Sequence, residues 1–184
     1  WGNNPPEIAF DSSLKSKGQL LYSREGVPFS FGGYEKNVAF TSLWDNWPAQ
    51  ITIPVQRNAS AAYVLLLGTT NPMECNIANG ILRFYYEDGS CDQVELVPPR
   101  NFWTLAPYTC APNCQEQNTN NDYCYSTDRF CLPATPPETL SLGPNCRGIV
   151  LGCRLSKEKQ LANVQLQTLS QEVVIGIAAL TLRD

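Results

Sequence analysis

Histidine is absent from this chain of 184 residues. Because histidine is the usual general base, no Ser-His-Asp or Cys-His site can form within the chain. The longest apolar run, Val173 to Leu180, contains Gly176. It is much shorter than a transmembrane helix, which needs about 20 apolar residues. Lys and Arg number 13 against 17 Asp and Glu, a net charge of −4, and no basic stripe is present. These absences argue against nucleic acid as a partner and against membrane insertion.

Eight cysteines, an even number, predict disulfide bonds and an oxidising, extracellular location. They are Cys75, Cys91, Cys110, Cys114, Cys124, Cys131, Cys146 and Cys153. Their spacings lack the C-x2-C pairs of zinc sites, and no histidine is available as a ligand, so we predict no metal from them. The pairing stays open among about 105 arrangements: Cys75 and Cys91 bracket one predicted strand and either join each other or reach the other cysteines.

One glycosylation sequon agrees with secretion. Asn58-Ala59-Ser60 is the only Asn-x-Ser/Thr sequence in the chain, and it falls in a predicted loop between two strands. We therefore predict Asn58 as a glycan acceptor.

Apolar residues alternate with polar ones at a period of two, which indicates strands. Ile51, Ile53 and Val55 share one face, and Val164 and Leu166 share another, continued by Leu169 after a slip. Residues 81–87 and 92–97 flank Asp88-Gly89 and predict a β-hairpin, because Asp-Gly readily adopts positive φ angles. Further strands are predicted at 19–22, 38–43, 62–67, 148–155, 163–169 and 172–182.

Many short strands joined by turn residues, with no convincing helical stripe, predict an all-β fold. We expect one domain over residues 1–184, a two-sheet antiparallel β-sandwich of jelly-roll type. Residues 107–146 are rich in Asn, Thr, Pro and Cys and poor in aliphatics, which predicts a disulfide-rich insertion outside the core. A disulfide that closes a loop of about 15 residues contributes on the order of 3 kcal/mol.

The sequence Trp44-Asp45-Asn46-Trp47-Pro48 is the leading candidate for a binding site. Indole faces stack on sugar rings, and short polar side chains fix sugar hydroxyls. The alternatives are core packing for the two tryptophans and turn capping for Asp45 and Asn46. Further candidate ligand-binding residues are Tyr34, Arg100 and Tyr108. Trp103 is predicted in the core.

No catalytic residue is predicted. Paired carboxylates can hydrolyse a glycosidic bond without histidine, and candidates exist in the sequence. They are Asp45, Glu87, Asp88, Asp92 and Glu95. Asp88 falls in the predicted turn, and Glu87 and Glu95 take outward positions of the hairpin, so a solvated face is the better interpretation.

A series of short blocks lies in order along residues 26–103. They are Gly26-Val27-Pro28-Phe29, Thr41-Ser42-Leu43-Trp44-Asp45-Asn46-Trp47-Pro48, Tyr63-Val64-Leu65-Leu66-Leu67 followed by Gly68-Thr69-Thr70-Asn71-Pro72-Met73, Asn79-Gly80, Tyr86-Glu87-Asp88-Gly89 and Leu96-Val97-Pro98-Pro99-Arg100-Asn101-Phe102-Trp103. Together they resemble the galactose-binding-like β-sandwich modules of large secreted proteins of glycoside-hydrolase type, and the similarity resumes at 148–182. The cysteine-rich insertion departs from the plain module.

This resemblance implies a non-catalytic domain that binds carbohydrate or supports a neighbouring domain of the same polypeptide. Such folds often carry a structural calcium, but no dense Asp cluster locates one here. The chain opens at Trp1 and ends directly after a strand-like run, which favours a piece of a longer chain. We expect an extracellular carbohydrate-binding-type module. The alternative is a structural or assembly module of a filament or coat, docking through its stiffened insertion. A small glycosidase is the third hypothesis.

Overall fold

The computed structural model describes residues 14, 19–31, 38–44, 46–70, 72–103, 135–143 and 146–184. Eleven strands are formed in these residues. They are β1 (Leu20–Tyr22), β2 (Pro28–Ser30), β3 (Ala39–Ser42), β4 (Gln50–Asn58), β5 (Ala61–Thr69), β6 (Gly80–Tyr86), β7 (Cys91–Leu96), β8 (Thr139–Gly143), β9 (Cys146–Arg154), β10 (Gln160–Thr168) and β11 (Val174–Arg183). The part of the chain described contains no helix long and apolar enough to span a membrane.

Two antiparallel sheets make up a β-sandwich, as predicted. Four strands pair in the order β4-β10-β6-β7, and five pair in the order β3-β11-β5-β9-β8. Their facing sides bury one apolar cluster that draws on both sheets, with Val64, Phe84 and Val164 at 1% exposure or less. Ile51, Ile53 and Val55 pack against this cluster from β4, which confirms the alternation read from the sequence. Trp103 belongs to it as well and is confirmed as a core residue.

A third, smaller layer covers the other side of the five-stranded sheet. The antiparallel pair β1-β2 lies there, and Phe29 of β2, together with Val27 of the β1-β2 connection, forms a second buried cluster with Leu65 and Leu67 of β5. The Thr181 hydroxyl of β11 donates a hydrogen bond to the Pro28 carbonyl and attaches the pair to the sheet. The five-stranded sheet is therefore apolar on both faces, whereas the outward positions of the four-stranded sheet are mostly polar, with the buried Ile81 as an exception.

The predicted hairpin is confirmed as β6-β7, with Tyr85 opposite Cys91 and Gly80 opposite Leu96. At its tip the Gly89 amide donates to the Tyr86 carbonyl at 3.0 Å. Gly89 has a φ of +83°, whereas Asp88 stays outside the positive-φ region. The connection therefore takes four residues, 87–90, rather than a two-residue turn with both residues left-handed.

The structure differs from the sequence prediction in three places. β2 was not predicted, because its three residues are too few to show a period of two. β8 lies in the last part of the predicted insertion, where Leu142 is fully buried. The prediction that Leu169 points inward after a shift in the alternation is wrong. β10 keeps its alternation to Thr168, which is 1% exposed, and Leu169 lies beyond the strand end and is 42% exposed.

The third layer predicts a large effect of one substitution. Phe29 is fully buried, so Phe29→Ala should lower the free energy of unfolding by about 3–5 kcal/mol through lost burial and a residual cavity. Urea unfolding followed by intrinsic fluorescence measures this change. Tyr22→Ala in the neighbouring strand is the control, because Tyr22 is 59% exposed and should change stability by no more than about 0.5 kcal/mol. Equal effects of the two substitutions would contradict the buried layer.

Candidate functional site

The Trp44–Trp47 turn joins β3 of the five-stranded sheet to β4 of the four-stranded sheet. The Trp47 amide donates to the Trp44 carbonyl at 3.0 Å, and the Ser42 amide donates to the Pro48 carbonyl at 3.1 Å, which closes the turn. The Ser42 hydroxyl donates to the Val173 carbonyl at 2.8 Å and ties the turn to the connection before β11. Its backbone is thus held by both sheets.

The two indoles have different surroundings. Trp47 packs edge-to-face on Phe40, with ring centroids 5.5 Å apart and planes at 89°. Its Nε1 atom is buried and has no hydrogen-bond partner among the described residues. Trp44 and Trp47 are both half-buried, and Asn46 is exposed. The packing interpretation therefore fits Trp47 better, and Trp44 is the better candidate for stacking on a ligand.

The other predicted ligand-binding residues are not gathered around this turn. Asp45, Tyr34 and Tyr108 lie outside the described residues. Arg100 is exposed just beyond the end of β7. The start of β4 and the end of β7 lie at the same end of the sandwich, but three strand spacings apart, roughly 14 Å. The structure therefore separates Arg100 from the Trp44–Trp47 turn.

The four described cysteines form no disulfide with one another. Cys75 lies beside the far end of β7, since the next residue, Asn76, donates its amide to the Pro98 carbonyl at 2.7 Å. Cys91 begins β7, so the strand separates the two sulfurs by roughly 16 Å or more, well beyond the reach of a disulfide. This excludes the pair Cys75–Cys91, one of the two alternatives. Cys110, Cys114, Cys124 and Cys131 lie outside the described residues.

Cys146 and Cys153 stand at the two ends of β9. Cys146 is buried in the cluster under the β1-β2 pair, and Cys153 is buried between the two large sheets. Burial raises the pKa of each thiol to about 11.

Asn58, the predicted glycan acceptor, is exposed at the end of β4. Its side-chain amide donates to the Lys157 carbonyl at 3.2 Å. Glycosylation at this position stays a prediction.

Two of the candidate carboxylates, Asp88 and Asp92, make contacts near the hairpin tip, and a third, Glu95, is exposed. Asp92 accepts a hydrogen bond from the Tyr86 hydroxyl at 2.5 Å. Asp88 pairs with Lys159 at 2.9 Å, and the Ser90 hydroxyl and then Lys159 lower its pKa to about 2. Glu95 is exposed on β7. These contacts attach the hairpin tip to the β9-β10 connection.

Among the described residues, no three His, Cys, Asp or Glu side chains are grouped so as to hold a metal ion. A structural calcium, implied by the resemblance, stays a prediction without a location.

The outer face of the four-stranded sheet carries a surface that the sequence analysis did not single out. We call it the amide face; its residues include Gln50, Thr52, Ile81, Arg83, Tyr85, Gln93, Glu95, Asn163, Gln165 and Gln167, and among them Ile81 is apolar and buried, at 5% exposure. Pairing places Thr52, Gln165, Arg83 and Gln93 in one row across all four strands. The signal was present in β10, where the outward residues Asn163, Gln165 and Gln167 alternate with the buried Val164 and Leu166 and are all amides.

Arg83 occupies the centre of the amide face. It lies on β6, between β10 and β7, and is half-buried. Its Nη1 donates to the Gln165 side-chain oxygen at 3.1 Å and to the Gln167 side-chain oxygen at 2.6 Å. Tyr85, two residues further along β6, is also half-buried on this face. The face thus offers hydrogen-bond donors, acceptors and one aromatic ring on a rigid sheet.

Comparison of the chain with family models, curated proteins and solved structures finds no match. The galactose-binding-like resemblance therefore stays a prediction.

The Tyr86 contacts predict an effect on stability and its pH dependence. Tyr86 is 4% exposed, and its hydroxyl also accepts the Ser156 amide at 2.9 Å, so Tyr86→Phe should cost about 1 kcal/mol at pH 7. Burial, and then the bond to Asp92, raise the Tyr86 pKa to about 12 from 10. The folded-state pKa is the higher one, so the protonated Tyr86 hydroxyl stabilises the fold. This stabilisation is complete below pH 10 and is lost as the pH rises to 12.

Urea unfolding at pH 7, 10 and 12 tests both statements. The wild type should lose more stability between pH 10 and pH 12 than Tyr86→Phe does. Tyr85→Phe is the matched control, because no hydrogen bond of its hydroxyl to a described residue is present, and it should keep the wild-type pH dependence. An unchanged stability of Tyr86→Phe at pH 7 would show that the hydroxyl contacts contribute nothing.

Proposed function

We propose that this chain is a non-catalytic, extracellular carbohydrate-binding-type module of a larger secreted protein, with a jelly-roll, galactose-binding-like sandwich stabilised by disulfides. The observation that carries the proposal is the amide face. Its central row crosses four strands and contains hydroxyl, amide and guanidinium groups. Neighbouring domains of the same polypeptide are the other partners of such a module.

The chemistry of the amide face suits sugar hydroxyls. A primary amide donates and accepts hydrogen bonds from one planar group, which matches a hydroxyl that does both. The half-buried Tyr85 supplies a ring of the kind that packs on the apolar face of a sugar. Since these groups stand on paired strands, little backbone entropy is lost on binding.

The Trp44–Trp47 turn adjoins the amide face. Gln50 begins β4 three residues after Trp47 and pairs with Gln167 of the face. The Ala49 carbonyl also accepts the Thr168 amide at 2.9 Å. A glycan lying along the face would extend at one end toward the Trp44–Trp47 turn, whose two indoles are both half-buried. Arg100 and the predicted residues outside the described ranges stay candidates beside it.

A second candidate function is docking on another domain or subunit. Met73, Ile77 and Leu169 are 92%, 51% and 42% exposed. Ile77 and Leu169 belong to neighbouring connections, since the Leu169 amide donates to the Asn79 carbonyl at 2.8 Å. Exposed aliphatic side chains favour protein contacts. Docking through the insertion stays a prediction, because residues 107–134 lie outside the described residues.

A glycan array probed with the oxidised, folded domain tests the leading proposal. We expect binding by the wild type, weakened at least about tenfold in Gln165→Ala/Gln167→Ala, since two hydrogen bonds of about 1 kcal/mol each are removed. Trp44→Ala should also weaken binding if the glycan reaches the turn. Gln171→Ala, an exposed amide in the β10-β11 connection, is the matched control and should bind as the wild type does.

Failure of the wild-type domain to bind any glycan, with folding confirmed by circular dichroism, would reject the carbohydrate-binding proposal. Under that outcome, self-association or docking that is lost in Ile77→Ser/Leu169→Ser would support the assembly module.

A further inference from the structure

We infer that the glycan bound by the amide face carries carboxylate groups and that Arg83 is the residue that recognises them. This inference rests on the proposed function and specifies its ligand class, an acidic sugar chain of the uronate type. It follows from the hydrogen bonds that hold the Arg83 guanidinium and from the absence of an ion pair between Arg83 and any described residue.

Two neutral side chains fix the Arg83 guanidinium on the sheet. Both hydrogen bonds go from Nη1, to Gln165 at 3.1 Å and to Gln167 at 2.6 Å. Gln165 stands directly opposite Arg83 in the β6-β10 pairing, and Gln167 is two residues away on the same face. Nη2 and Nε make no hydrogen bond to a described residue. The two nitrogens at this edge can donate in parallel to one carboxylate, the bidentate geometry in which arginine binds carboxylates most strongly.

No ion pair of Arg83 is present within the described residues. The ion pairs present there are Arg57 with Asp184 at 2.6 Å and Lys159 with Asp88 at 2.9 Å. Glu95 is the acidic residue of the amide face, at a position diagonal to Arg83 where Cα atoms are roughly 7–8 Å apart; long side chains can span this distance, but the two residues form no ion pair. A half-buried cation that lacks a counter-charge gains more from an incoming carboxylate than an exposed, already paired one does.

The same arrangement limits the charge density of the ligand. The amide face contains one cation and one anion, Arg83 and Glu95, on a protein whose net charge is −4. A densely sulfated chain needs several cations in a row and would be repelled by Glu95. Isolated carboxylates, separated by hydroxyl-bearing carbons, match one guanidinium surrounded by amides.

Calorimetry with matched ligands provides the test. The probes are oligogalacturonate, glucuronate-containing and mannuronate-containing oligosaccharides, each beside its carboxyl-reduced form, which keeps the chain and replaces each carboxylate by a hydroxymethyl group. We expect the wild type to bind at least one acidic chain about 10- to 100-fold more tightly than the reduced form, the range for a hydrogen bond to a charged group. Arg83→Gln should remove this preference and still bind the reduced chain.

Two further variants separate recognition from general charge and from folding. Arg57→Gln removes a positive charge from an exposed ion pair and should keep the preference. Arg83→Lys keeps the charge but loses the planar pair of donors, so its preference should fall between those of the wild type and Arg83→Gln. If circular dichroism shows that Arg83→Gln fails to fold, Arg83→Lys still tests the role of Arg83.

The outcomes distinguish the inference from the proposed function. Equal binding of acidic and reduced chains by the wild type would overturn the inference and leave the carbohydrate-binding module standing. A preference for the acidic chain that persists in both Arg83 variants would overturn the role of Arg83. Binding of neither form of any chain, while the array shows another glycan bound, would reject the acidic ligand class, and no glycan bound at all would reject both proposals.

Discussion

Burial of the five-stranded sheet on both faces is the constraint on which the rest of the structure depends. Its strand β5 directs Val64 and Leu66 toward the four-stranded sheet and Leu65 and Leu67 toward the β1-β2 pair, all at 2% exposure or less. Each face of such a strand must be covered, because exposed apolar area costs about 25 cal/mol per Å². One cover is the second sheet of the sandwich, and the other is the short N-terminal pair.

This arrangement frees the outer face of the four-stranded sheet. The inner side of that sheet supplies its part of the core, so most of its outward positions can carry hydrogen-bonding groups, with the buried Ile81 as the apolar exception. Strand pairing sets neighbouring strands about 4.8 Å apart, and Thr52, Gln165, Arg83 and Gln93 therefore form a fixed row. A binding surface on paired strands is preorganised in a way that a loop is not.

The sequence predicts the strands whose residues alternate, and it predicts the β6-β7 hairpin from a single turn. β2 and β8 escape prediction because their burial comes from the layer that they join rather than from a local period. For Trp47 the sequence left core packing open as the alternative to ligand binding. Its packing on Phe40 fits that alternative, and the Phe40 ring in turn lies over Gly176 of β11, where an added Cβ would meet it at 2.5 Å. Contacts between residues so far apart in sequence leave no local signal.

The amide face shows why a binding surface is harder to predict than a core. Outward polar residues are expected on any half-buried sheet, so Gln165 and Gln167 carry no special signal until their partner is known. Their partner is a guanidinium, and a purely structural pairing would be served at least as well by a glutamate at either position, which would neutralise Arg83 as well as hold it. Two glutamines instead fix the group and leave its charge available. This combination of fixed position and uncancelled charge distinguishes a recognition group from an ordinary polar surface.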